Sequence, residues 1–77
     1  MKDQGSHVYN SPIYVIRALR EHADKLQRFT MNAADCEANA RAFHSAFLIW
    51  TKRGYPEIAA EASRIATGFK IAAQARR

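Results

Sequence analysis

Within the part of the chain that shows regular apolar spacing, His22, Cys36 and His44 are the side chains able to hold a soft metal ion or to form a thiolate–imidazole pair. A zinc site takes three or four such ligands at short, characteristic spacings. Cys36 and His44 share one helical stretch but stand eight positions apart, which is about 12 Å along a helix axis, too far to share an ion or a proton. Cys36 falls on a stripe with Phe43 and Phe47, where a thiol packs as a small hydrophobe. His22 borders another apolar stripe. No metal or cofactor is therefore expected.

The seven carboxylates do not converge either. Asp35 and Glu37 open one helical segment, Glu57 and Glu61 open the next, and Glu21 and Asp24 stand among arginines. Acidic side chains in the first turn of a helix are favoured by the macrodipole and need no acid–base role to explain them. The sequence holds no glycine-rich phosphate loop and no nucleophile-elbow, Walker or dinucleotide motif. A catalytic role is not expected, so function has to be sought in surfaces.

Those surfaces belong to a small folded unit. With 77 residues, 48% hydrophobic and 25% charged, three Gly and two Pro, the chain has the composition of one globular domain whose single core supports only about 3–5 kcal/mol. Twelve Lys and Arg against seven Asp and Glu leave a net charge of +5, which suits an anionic partner without requiring one. One cysteine excludes an internal disulfide framework and points to a reducing, cytoplasmic setting. The first residues show no apolar h-region, and no apolar run approaches the roughly 18 residues of a membrane span. Residues 1–10 are expected to be a flexible segment in which Gly5-Ser6-His7 has the look of a vector remnant, and 11–77 a single helical domain.

Three helices are legible in that domain. Ser11-Pro12 is a start signal, with a hydroxyl able to cap and a proline where its missing donor costs nothing. Ile16, Leu19, Ala23 and Leu26 then repeat at 3-4-3 spacing, with Val15 and Phe29 widening the same face, which predicts helix 1 over 12–29. Thr30 or Asn32 caps helix 2, with Asp35 in the position of a capping-box acid, and Gly54 ends it after Lys52 and Arg53. Helix 2 is predicted over 33–53, with Cys36, Ala40, Phe43, Phe47 and Trp50 on one stripe. Tyr55-Pro56 restarts the chain, and Ile58, Ala62, Ile65, Phe69 and Ala72 predict helix 3 over 56–75. Links this short join antiparallel neighbours, giving an all-α, three-helix up-down-up bundle.

From Ala46 to Trp50 five successive residues are apolar, so they point all round the helix barrel. If helix 2 meets helix 1 on one side and helix 3 on the other, Phe43, Phe47 and Trp50 take one contact and Ala42, Ala46 and Ile49 the other. Leu48 is left over on the side of Arg41, Ser45 and Lys52. Helix 3 has a matching surplus opposite its stripe, where Ala60 and Ile71 lie with Gly68 on the flank, and a mid-helix glycine suits a place where another backbone comes close. Leu48, Ala60, Gly68 and Ile71 are accordingly the expected protein-contact positions, and a homodimer or another docked protein the expected partner.

The stretch from Trp50 to Ala66, WTKRGYPEIAAEASRIA, resembles the inter-helix turn of a tetratricopeptide repeat. There an aromatic and a basic residue precede Gly, and a Tyr and acidic residues lead into an alanine-spaced helix. A second copy of the repeat is not visible, and the resemblance implies only a tight hairpin between helices 2 and 3. A different reading comes from charge. In an up-down-up bundle the C-terminal ends of helices 1 and 3 share a pole, which collects Lys25, Arg28, Lys70, Arg76 and Arg77 as candidate phosphate contacts of a nucleic-acid-binding accessory protein. A helix-turn-helix reader is disfavoured, because helix 3 has no row of base-reading side chains.

Overall fold

A computed structural model describes residues 12–77; the segment 1–10 and the Ser11 cap considered above lie outside the described residues. Three helices follow one another: α1 (Pro12–Arg28), α2 (Ala33–Arg53) and α3 (Pro56–Ala75). The described residues contain no strand. The architecture is the all-α, up-down-up bundle that the apolar spacing predicts, with α1 and α3 parallel and α2 running against both.

The two links explain why the helices stop where they do. At the α1–α2 link the last turn tightens, Phe29 N–H donating to the Leu26 carbonyl at 3.0 Å and Thr30 N–H to Gln27 at 3.3 Å, so α1 ends one residue short of the expected Phe29. Asn32 caps α2: its side chain accepts from Asp35 N–H at 3.0 Å, and Asp35 Oδ2 accepts from Met31 N–H at 2.9 Å. Thr30, the other cap candidate, is instead buried in the link. Its hydroxyl donates to the Leu26 carbonyl at 2.8 Å and accepts from Asn39 Nδ2 at 3.2 Å.

At the α2–α3 link Gly54 takes φ +86°, a left-handed conformation that only glycine adopts without strain. Gly54 N–H donates to the Thr51 carbonyl at 3.1 Å and Tyr55 N–H to the Trp50 carbonyl at 3.0 Å. This is the Schellman pattern, and its usual apolar contact is present as Trp50 against Tyr55, ring centroids 5.6 Å apart and nearly perpendicular. The tetratricopeptide-like residues thus form the tight hairpin that their resemblance implies, by a capping mechanism available to any helix pair.

Packing departs from expectation in one respect. The shared element is α3, which packs along α2 and also receives α1, whereas the backbones of α1 and α2 stay apart and the two helices meet through side chains such as His22 and Phe43. Phe43 of α2 stacks on Phe69 of α3 at 5.9 Å, with Ala66 completing a small cluster against which Leu19, Ala23, Leu26, Ala40 and Ile65 pack. Alanines on α3 let the α2 backbone approach, and Ala59, Ala62, Ala66 and Ala73 are all buried. α1 contributes an apolar stripe but buries none of its residues. Consequently Ile49 and Ala42, assigned above to a second contact row, are exposed, as is Phe29 at 76%. Trp50 is half-buried at the link rather than in the core.

Candidate functional site

Cys36 is buried at 1% exposure, as its stripe predicts. His22 sits at the edge of the core with its ring 6.0 Å from Phe43, and His44 lies outside with its ring 5.7 Å from Phe47. Among the described residues no three His, Cys, Asp or Glu side chains are grouped closely enough to hold a metal ion.

Glu61 is placed quite differently from a first-turn acid. It lies in the second turn of α3, is 8% exposed, and faces α1. Arg20 reaches it across the helix–helix interface with a two-pronged grip, Nε donating to Oε2 at 2.9 Å and Nη2 to Oε1 at 3.3 Å. Arg64, one turn further along α3, also pairs with it. The Arg20 hydrogen bond, opposed by burial and reinforced by Arg64, holds the Glu61 carboxyl below its ordinary range and the Arg20 guanidinium above its own. A carboxylate clamped by two cations is a structural tie, not a proton donor. Spacing alone gave no sign of it, because Arg20 and Glu61 are 41 positions apart.

The expected contact positions are all exposed, but they do not form one patch. Leu48 is 53% and Ile71 61% exposed. Taking the Phe43–Phe69 stack as a common level, Leu48 lies five residues towards one pole and Ile71 two towards the other, a separation of roughly 10 Å along the axes. Ala60 is exposed on the same outer side of α3 as Ile71, while Gly68 turns towards α1 beside Ala23, Gln27 and Ala72. A Cβ at Gly68 would meet nothing within 4 Å, so no backbone approach within the chain calls for the glycine there. Leu48 is followed by a second exposed aliphatic side chain, Ile49, 49% exposed, the two pointing about 100° apart around α2 and both away from its buried Cys36–Phe43 stripe.

The basic residues are divided as well. Lys25 and Arg28 are exposed in the last turn of α1. Arg76 and Arg77 reach the same pole, but there Arg76 Nη1 donates to the Thr30 carbonyl at 3.5 Å and Arg77 pairs with Glu37. Lys70 lies away from the α1 end, in a groove between α2 and α3. That groove encloses about 590 Å³ on the side opposite α1, with Arg41 and His44 across from Lys70.

Comparison with known proteins adds no assignment: the chain matches no protein-family model, no curated protein and no solved structure.

Proposed function

We propose that this protein is a small, non-enzymatic binding module that works through helix faces and associates with itself. The observation that carries the reading is the pair Leu48 and Ile49, two large aliphatic side chains each about half exposed on the outer face of α2. The core supports the same inference. Its buried large side chains among the described residues are Phe43, Ile58 and Phe69, the remainder being Cys36 and alanines, and α1 is amphipathic without burying a residue. Apolar surface removed from water contributes about 25 cal/mol per Å² before association costs, so a second copy laid against α2 adds stability where one chain has little.

The test is substitution read by mass. Leu48→Glu with Ile49→Glu should give a helical monomer, while Ile71→Glu, on the other helix, should leave the dimer in place. A double variant of unchanged mass would remove α2's outer face from the reading.

A second reading, contact with nucleic acid through the basic pole, is favoured by one feature: Phe29, 76% exposed, stands beside Arg28, an aromatic able to stack on a base next to a cation able to meet a phosphate. The involvement of Arg76 and Arg77 with Thr30 and Glu37 leaves Lys25 and Arg28 as its principal cations. An affinity for single-stranded nucleic acid that falls steeply with salt would support it.

A further inference from the structure

The seam between α2 and α3 has two sides. On one, α1 lies over it, with Leu19, Ala23 and Leu26 against Phe43, Ala66 and Phe69 and the Arg20–Glu61 tie holding the helix in place. The other side is the groove introduced above. Its floor is made of methyl groups from Ala40, Ala66 and Ala73, and two antiparallel helices in contact at such small residues leave a trough that fits a third helix. Its edges are cationic. Arg41 and Lys70 are exposed on opposite walls with His44 beside them, and Glu37, the one carboxylate lining the groove, is paired with Arg77.

We propose that this groove receives an acidic amphipathic helix from a different protein. A helix fits because the opposite side of the same seam already holds one in the same way, half-buried on an apolar stripe and fixed by a charged pair at its edge. Acidic flanks match the walls, where carboxylates on either side of an apolar stripe would meet Arg41 on α2 and Lys70 on α3. A second copy of this chain is a poor occupant, since it carries +5 and would set like charges against these walls. A nucleic-acid strand is a poor occupant for another reason: the floor offers alanine methyls and no Phe, Tyr or Trp on which a base could stack. The groove lining does not include Leu48 or Ile49, and the two readings are told apart by their readouts, oligomer mass for one and peptide affinity for the other.

The experiment titrates the full chain with a labelled helical peptide of about 20 residues, the length of α2, bearing a Leu/Ala stripe flanked by rows of Glu. Two controls keep the stripe with Lys rows, or the Glu rows with a Ser/Gln stripe. Micromolar binding of the first peptide alone is expected, weakened about tenfold by Arg41→Glu or by Lys70→Glu and by raising salt from about 0.05 to 0.5 M. Both side chains are exposed, and helical circular dichroism checks that the variants fold. Arg17→Glu and Arg28→Glu on α1 should change the affinity by less than about twofold. Absence of binding, equal binding of either control peptide, or indifference to both groove substitutions would overturn the proposal. So would a nucleic acid that binds at Arg41 and Lys70 where the peptide does not.

Discussion

Glu61 shows what a single side chain does in a bundle with so small a core. The carboxylate fixes the angle and register of α1 on α3 through Arg20, and its own near-burial makes the loss of that partner costly. Glu61→Ala should lower stability by about 1–2 kcal/mol, discounted from a fully buried pair because both arginines keep solvent contact. The sign of its pH dependence follows from the direction of its shift. Because the folded carboxyl is held below its ordinary value of 4.5, its contribution is complete above that value and is lost as pH falls through the lower folded one. Denaturant titrations between neutral and acid pH should show wild type losing stability over that window, and Glu61→Gln should lose less. An identical acid slope in the two would mean that the tie contributes nothing. Trp50 makes a second case at this scale. Packed edge-on against Tyr55, with the Arg53 guanidinium 5.1 Å from its ring centre, it should emit at a wavelength between buried and fully hydrated indole. Trp50→Ala should cost about 1–2 kcal/mol, less than the 3–5 of a fully enclosed aromatic.

The helices themselves were legible because each carries its own local instructions. Pro12 and Pro56 stand at first helical positions, Asn32 caps with Asp35, and Gly54 closes a Schellman turn after Lys52 and Arg53. What lay beyond local patterning was which helix would be shared. The stripe on α2 looks the heavier, with Phe43, Phe47 and Trp50, yet α3 takes the common position because its alanines allow closer approach on two sides. That exchange is why Ile49 is exposed and Trp50 displaced to the link, and periodicity, which records directions around one helix, holds no information about it. The exposure of Ile49 and the tie at Glu61 lay beyond the pattern for the same reason. Two glycines test the element-level account with opposite signs. Gly54→Ala should destabilise by about 1 kcal/mol, since its φ of +86° penalises any Cβ. Gly68→Ala should stabilise by about 1 kcal/mol, since the new methyl enters open space in a helix interior. A loss of stability at Gly68 would reveal a close approach from another chain.

For the molecule as a whole, the described residues form one layer of antiparallel helices, α2 and α3, covered on one side by α1 and open on the other. Among the described residues no helix is long and apolar enough to cross a membrane. We propose the outer face of α2 as the seat of a second copy and the groove opposite α1 as that of an acidic helix, and the first of these sets the size of the functional particle. Sedimentation equilibrium over a concentration series from about 1 to several hundred micromolar tests it most directly. Mass action requires a dimer to gain weight with concentration and its melting temperature to rise in parallel. The expected mass climbs from 8.7 kDa towards twice that value within the micromolar range, and stays near 8.7 kDa when Leu48 and Ile49 are both glutamate. A wild-type chain that sediments as a monomer across the whole series would contradict it.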